Sequence, residues 1–408
     1  MENLLFFLSK RYLRHRREEK FLSIISTLSI IGIVLGVMAL IIVISVMNGF
    51  DRDLKTKMLG TMAPITVGDI NGKYLLKWKK LAIDLKKLPY VKAVAPSIDG
   101  FGLIQSKYAN EGIYIKGVDI SKEKNVTKIV KNVIVGRFPE KKGEILLGKI
   151  LARNLGVWIG DEVVLVTKVI QTPTGYKPKF GRAKIVGFFD SGLYSFDSST
   201  AVISLDFARE LFVLPKNSVQ YLKIKIEDPF YAPFYAKKIR KFIMKNYESM
   251  YFVQSWDQVN KQLFQAIALE KTVMFLILSL IIIVAAFNIV SSQYMTVIQK
   301  TKEIGILKAM GLTNKEVAKI FFYQGIIIGF IGIALGSFLG ISLSYIVGKY
   351  KLIPLPGYVY DLTALPVAFS PVAIILINVS AMIICILATL YPAYKASKLN
   401  PVEALKYE

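Results

Sequence analysis

Four stretches of this chain run for roughly thirty residues without a charged side chain. They lie between Lys20 and Asp51, Lys271 and Lys300, Lys319 and Lys349, and Asp361 and Lys395. Each holds more than the ~20 apolar residues that cross a bilayer's hydrocarbon core. Backbone groups in hydrocarbon need internal partners, so long continuous apolar runs predict helices. A polar segment of about 220 residues separates the first run from the second. The pattern predicts a membrane protein of four transmembrane α-helices, with a large α+β extracytoplasmic domain inserted between helices 1 and 2. The spans fall at 21–49, 271–298, 317–348 and 370–392. Residues 50–270 form stalks and the domain, 299–316 and 349–369 connect the later spans, and 1–20 and 393–408 are the ends.

Within the inserted segment, β-branched and aromatic residues predict strands over Gly112–Val118, Glu162–Val169, Ala183–Phe189 and Tyr221–Ile226. Helical spacing marks Leu75–Leu88, Asp206–Phe212 and Ala232–Asn246. Thr167–Lys184 reads as a long hairpin with a tip from Gln171 to Gly181 holding two prolines, two glycines, two aromatics and two lysines. Two readings stand for it: a docking arm for an acidic or amphipathic protein, or a mobile hairpin with no partner. Charged helical runs on either side, Asn48–Gly60 and Trp256–Glu270, predict stalks that carry the first two helices past the membrane.

Lipid gives helices little hydrophobic reason to associate, so small residues mark where they pack closely. The first span has Gly32 and Gly36. The third has Gly325, Gly329, Gly332, Gly336 and Gly340, at offsets 0, 4, 7, 11 and 15, which fall on one helix face. Asn288 and Asn378 are the notable polar residues of the second and fourth spans, with interhelical hydrogen bonding as their expected role.

Charge then orients the chain. There are 53 basic against 29 acidic residues, a net +24. Much of the excess flanks the apolar runs, where it sets topology and meets anionic lipid, and no nucleic acid is needed to explain it. Lysines and arginines crowd the segments before span one, between spans two and three, and after span four. The connection between spans three and four has only Lys349 and Lys351. The positive-inside rule places both termini in the cytoplasm and the large domain outside, which in a two-membrane bacterium is the periplasm. The first run is too long for a signal-peptide core and is read as a retained helix. Leu5, Leu8 and Tyr12 beside Lys10, Arg11 and Arg14 suit either a short helix on the inner membrane surface or a plain start of span one.

Candidate chemistry is sparse. The lone cysteine, Cys385, excludes an internal disulfide and a cysteine metal cluster, and the lone histidine, His15, excludes a His-rich metal site or a Ser–His–Asp triad in the domain. Gly143–Ile150 nearly matches a phosphate-binding loop, but Ile150 stands where a magnesium-binding hydroxyl belongs. No catalytic residue and no metal ligand is assigned.

The connection after span two reads Gln299 to Glu316. Ile304, Leu307 and Met310 share one face, Gly311 suits a helix C-cap, and Thr313 or Asn314 suits the next N-cap. A short helix across the inner face is expected, able to insert into a groove on a cytoplasmic partner or to serve as an interfacial turn.

Glu303-Ile-Gly-Ile-Leu-Lys-Ala-Met-Gly311 resembles the coupling helix of FtsX-like, MacB-type ABC permeases, and the tail Pro392–Leu405 is similar to that family's C-terminal signature. Leu35–Phe50 resembles the first span of the lipoprotein-releasing permeases of the LolC/LolE type, and Ile283–Ile289 resembles their second. The resemblance covers essentially the whole chain. It implies a MacB-type permease in the inner membrane that pairs with a second permease, itself or a LolC/LolE paralogue. It also implies a cytoplasmic ATPase dimer of the LolD type that binds ATP and magnesium, so that this chain carries no cofactor and is no enzyme. Acylated lipoproteins taken from the membrane lipid would be the substrate, passed to a periplasmic chaperone of the LolA type. On the same basis Glu303, Ile304, Gly305, Leu307, Lys308, Met310 and Gly311 couple to the ATPase. Gln171, Thr172, Pro173, Gly175, Tyr176, Pro178 and Phe180 form a chaperone-binding hook, and Met47, Phe50 and Phe287 face a lipid cavity. A MacB-like efflux permease and an FtsX-like regulator of periplasmic hydrolases share the four-span layout.

Overall fold

The computed structural model describes residues 7–9, 20–72, 74–172, 175–247, 251–356 and 364–399. The chain opens with α1 (Lys20–Thr61), β1 (Ile65–Asp69), α2 (Trp78–Lys86), β2 (Val91–Gln105), β3 (Asn110–Val118), α3 (Ile120–Glu123), β4 (Val133–Gly136) and β5 (Glu144–Gly148). It continues through α4 (Lys149–Leu155), β6 (Glu162–Thr172), β7 (Gly175–Phe189), α5 (Tyr194–Ser199), β8 (Thr200–Ser204), α6 (Leu205–Leu211) and β9 (Tyr221–Ile226). Then come α7 (Ala232–Asn246), β10 (Tyr251–Ser255), α8 (Trp256–Val259), α9 (Lys261–Gln299), α10 (Thr301–Ala309), α11 (Asn314–Tyr350) and α12 (Pro371–Ser397).

Among the described residues four helices, α1, α9, α11 and α12, are long and apolar enough to cross a membrane. At 42 residues, α1 is ~63 Å long against ~30 Å of hydrocarbon, so it outruns the apolar layer. Local chemistry sets several ends. Thr313 caps α11 in a reciprocal box with Glu316, and Ser370 caps α12 just before Pro371 at the first helical position.

Contacts divide the chain into a helical unit and an inserted unit, the latter Asp53–Ala266 with Leu355–Thr363. In the helical unit the glycines of α11 serve two neighbours. A Cβ on Gly325 would lie 1.8 Å from Thr389 Cγ2, and one on Gly329 would lie 3.0 Å from Cys385 Cβ, both on α12. Gly332, Gly336 and Gly340 instead meet Ile33, Val34 and Met38 on α1, at 2.7, 2.8 and 3.2 Å. A Cβ on Gly49 of α1 would lie 2.4 Å from the Pro366 carbonyl oxygen. Gly32 and Gly36 differ from the sequence expectation. A Cβ there would meet Asn288 Nδ2 at 3.9 Å and Ile281 at 3.8 Å, which is ordinary contact, so no close approach depends on either. The Asn378 side chain accepts a hydrogen bond from Ser337 Oγ (2.9 Å) across α12 and α11, whereas it is the backbone oxygen of Asn288 that receives Ser29 Oγ (3.4 Å).

The inserted unit carries one ten-stranded sheet in the order β10-β1-β9-β2-β3-β8-β5-β7-β4, with β6 pairing β2 and β7 off that path. The β3–β8 and β5–β7 pairs are parallel and the others antiparallel. Two cores form on it. Leu81 and Leu85 of α2, with Ile239 and Ile243 of α7, cover Ile65, Val67, Leu222 and Ile224. Leu151 and Leu155 of α4, with Phe207 and Leu211 of α6, cover Ile115, Ile145, Leu165 and Ile185. Each fully buried side chain of this kind stabilises by about 1.5–3 kcal/mol.

Two sequence expectations shift here. The helix anticipated from Leu75 begins at Trp78, because Leu75 is taken into a bridge with Val219. The long strand β2 went unmarked because Gly100 and Gly102 interrupt its pattern. Both sit where a side chain would collide, with the Phe212 ring (2.4 Å) and the Val166 carbonyl (2.8 Å).

Candidate functional site

The short helix α10 is built to hold one face down and leave another free. Ile304 is buried among Val297, Val317, Phe321, Ala393 and Ala396, and Leu307 packs with Ile320, Leu312 and Tyr323. Gly305 is buried beside Ile304. Lys308 folds inward, its Nζ donating to the carbonyls of Ser397 (2.6 Å) and Leu399 (2.7 Å) at the end of α12. Cations suit a helix C-terminus, where carbonyls lack intrahelical partners. Partial burial lowers the Lys308 pKa from its ordinary value. Glu303 accepts from Lys300 (2.6 Å). Gly311 ends the helix with φ +103°, a conformation that glycine adopts freely.

That arrangement corrects the expected single face. Ile304 and Leu307 are anchors, but Met310 is 75% exposed because the helix ends at Ala309 and the chain turns there. Ile306, which the sequence pattern did not single out, is 50% exposed on the outer side. Ile306 and Met310 therefore form the apolar part of the free face, with Lys302 exposed nearby. Its position one residue before the buried face could have flagged Ile306, since an apolar residue off the anchoring face has no use within the chain.

The hairpin β6–β7 continues beyond a register shift between Val166 and Val169, through Val169↔Pro178, Ile170↔Lys177 and Gln171↔Tyr176 to Thr172↔Gly175. Pro173 and Thr174 at its tip lie outside the described residues, as do the side chains of 168–177. Pro178 and Phe180 are exposed. The N-terminal run around Leu5 and Tyr12, and the tail from Asn400 onward, also fall outside the described set apart from residues 7–9.

The three proposed lipid-facing residues sit differently. Phe287 on α9 is 68% exposed, while Met47 and Phe50 on α1 are half-buried. Just past Phe50, Asp51 pairs with Lys271 (3.1 Å), tying α1 to α9 where both helices leave their apolar runs. Only 6% of the most apolar window of α9 is buried, against 33% for α1. α9 is thus the least buried of the four apolar helices.

The near-match to a phosphate loop resolves structurally. Gly148 is required because a Cβ would lie 2.1 Å from the Asp197 carbonyl, and Lys149 is paired with Asp190. Asp197 accepts the backbone N–H groups of Ser191 (2.9 Å) and Gly192 (3.2 Å), and burial pushes its pKa up to about 6. These groups hold the 190–193 turn. Among the described residues no cluster of three or more metal-ligating side chains occurs.

The inserted unit has one further charged centre, on β2, β3 and β9. Asp99 is buried, which opposes its ionisation, but Lys223 (2.9 Å), Lys116 and the Ser97 hydroxyl outweigh that and hold its pKa below the ordinary value. Burial, reinforced by the Asp99 charge, pushes the neighbouring Tyr114 phenol upward.

Comparison with known proteins places these features. A family model of the MacB-like periplasmic core domain matches residues 26–241, and one of the FtsX-like permease C-terminal region matches 275–401. The lipoprotein-releasing system transmembrane protein LolC of Xylella fastidiosa (strain 9a5c) is 34% identical over 410 residues, covering 98% of this chain and 97% of that one. LolC of Neisseria meningitidis serogroup B is 34% identical over 98% of each chain. LolE of Haemophilus influenzae is 29% identical over 99% of each.

Proposed function

The chain belongs to the LolC/LolE family of lipoprotein-releasing-system transmembrane proteins, with the MacB-type permease fold, and we propose that it extracts acylated lipoproteins from the inner membrane for handover to a soluble periplasmic chaperone. It is a multi-pass permease subunit of a lipoprotein-releasing ABC system. Both termini and α10 lie in the cytoplasm in this reading, and the inserted domain lies in the periplasm. A separate ATPase dimer of the LolD type binds ATP and magnesium and docks on the free face of α10. The permease pairs with a copy of itself or with a LolC/LolE paralogue, the hairpin β6–β7 receives a chaperone of the LolA type, and cargo enters between α1 and α9, the least buried of the apolar helices.

The observation that carries this division of labour is α10 itself. Lys308 and Ile304 fasten it to the membrane helices, while Ile306 and Met310 are left outward without a use inside the chain. Energetics make a driven handover necessary. A lipoprotein with three acyl chains carries roughly forty-five methylene or methyl groups, and at about 0.8 kcal/mol each their exposure to water costs on the order of 35 kcal/mol. Transfer between apolar surfaces, driven by a nucleotide-consuming partner, avoids most of that exposure. Depleting the protein and fractionating the membranes tests the reading. Outer-membrane lipoproteins should accumulate in the inner membrane, and normal sorting after depletion would reject it.

A further inference from the structure

The inserted unit holds a half-open cavity of about 560 Å³ that the proposed handover does not use. Its apolar side is supplied by Leu54 and Met58 on the last turns of α1, by Met62 just beyond that helix, and by Leu263 in the first turn of α9. Trp256 and Phe252 add aromatic surface. Phe101, 82% exposed, stands edge-on to Tyr114 with ring centroids 5.2 Å apart.

The polar side is not self-satisfied. Asp99 and Lys223 neutralise each other at 2.9 Å. Lys116 and Glu123, which also line the cavity, do not have that arrangement. Lys116 is 6% exposed, and its Nζ donates to the Thr61 carbonyl at a long 3.4 Å and stands 5.6 Å from the Phe196 ring. An ammonium offers three donors. Glu123 is 1% exposed. Its Oε1 accepts from Thr127 Oγ1 (2.7 Å), and its Oε2 has no hydrogen-bond partner among the described residues. A buried carboxylate oxygen left without a donor is costly, and so is a buried ammonium with unused donors.

We propose that this cavity binds an amphiphile with one hydrocarbon chain and a head carrying both a phosphate and an ammonium group. The phosphate takes the free donors of Lys116, and the ammonium takes Glu123 Oε2. The four charged side chains of the wall are two cations and two anions, so a zwitterionic head enters without leaving net buried charge. A purely anionic head leaves the carboxylate unsatisfied, and an uncharged one leaves both groups so. Size fixes the number of chains. At the ~30 Å³ a water occupies, 560 Å³ holds roughly 19 groups of that size, enough for the phosphate–ammonium head and part of one chain but not for a diacyl or triacyl cargo. Strand β3, with Lys116, and the short helix α3, with Glu123, supply the head site, and the Leu54–Met58–Leu263 side supplies the chain site.

Trp256 lines the cavity and reports on it directly. The full-length protein, with Trp78→Phe and Trp158→Phe, is placed in phosphatidylcholine nanodiscs and titrated with lysophosphatidylethanolamine brominated on its chain. Saturable quenching of Trp256 is expected, with apparent affinity falling at least tenfold in Lys116→Met and, separately, in Glu123→Gln. Brominated palmitate should bind at least tenfold more weakly than the zwitterion, and the chain-free head glycerophosphoethanolamine should not displace it. Non-saturating quenching, unchanged affinity in folded variants of both kinds, equal binding of palmitate, or displacement by the free head would each overturn the proposal. No ATPase, chaperone or lipoprotein takes part, so this result and that of the depletion experiment are independent.

Discussion

Replacing Gly325 by alanine places a methyl group 1.8 Å from Thr389 Cγ2 and 2.6 Å from Gln293 Nε2, where carbon atoms prefer about 3.5–4.0 Å. Thr389 cannot rotate away freely. Its hydroxyl is held by the carbonyls of Cys385 (3.1 Å) and Ile386 (2.7 Å) one turn back on α12. Either that bond breaks or α11 and α12 separate. Overpacking of this kind costs about 1–3 kcal/mol, from which the greater helix preference of alanine over glycine recovers about 0.5–1 kcal/mol. A net loss of about 1–2 kcal/mol should lower the unfolding midpoint of the purified protein by roughly 2–5 °C at a fixed scan rate. Gly32→Ala, whose new methyl meets nothing nearer than 3.9 Å, should leave the midpoint level or raise it. Thr389→Ser removes the colliding methyl and keeps the hydroxyl, while Gln293 Nε2 (2.6 Å) and the residue-389 Cβ (2.8 Å) stay close, so Gly325→Ala with Thr389→Ser should recover part of the loss as a coupling between the two sites. Equal midpoints for Gly325→Ala and Gly32→Ala, or no recovery in the double variant, would refute the packing account.

Three other outcomes follow from particular contacts. Ile306→Asp and Met310→Asp, both on the free face of α10, should cut co-purification of the ATPase at least tenfold while leaving the unfolding free energy within about 0.5 kcal/mol of the parent, as exposed positions do. Removing residues 173–179 should abolish capture of the soluble chaperone and leave ATPase association intact, as read by pull-down from detergent extracts. Glu144 accepts a charge-assisted bond from Arg137 (2.8 Å) and two backbone N–H bonds (3.0 Å each), and its pKa is lowered to about 2 with the Arg137 bond as the main cause. The depressed value means that its contribution is present above about pH 4.5 and disappears as the pH falls toward 2; after solvent screening it amounts to about 1–2 kcal/mol, so Arg137→Met should flatten the acid limb of the stability profile.

The membrane layout was plain in the sequence because charge-free apolar runs of that length seldom occur away from a bilayer. Strands β3, β6 and β9 were visible for a related reason, since β-branched and aromatic residues dominate them. What escaped was whatever depends on a distant neighbour. Gly100 and Gly102 look like breaks in a strand until Phe212 and Val166 are seen to occupy their space. The glycines of α11 share one face, but nothing in their spacing tells that Gly325 and Gly329 serve α12 while Gly332, Gly336 and Gly340 serve α1. Lys308 reads as a surface charge on a helical wheel, and only the nearby end of α12 turns it inward. The Lys116–Glu123 cavity had no sequence signature, because its walls come from several segments far apart in the chain.

In the proposed function, nucleotide energy delivered at α10 moves an acylated protein out of the bilayer. Proteoliposomes containing this permease, its ATPase and a lipoprotein can be supplied with soluble chaperone, and the chaperone-bound lipoprotein counted. Release should require hydrolysable ATP and should vanish with Met310→Asp in an otherwise folded complex. Release that proceeds equally without ATP, or that persists when α10 no longer holds the ATPase, would contradict the account.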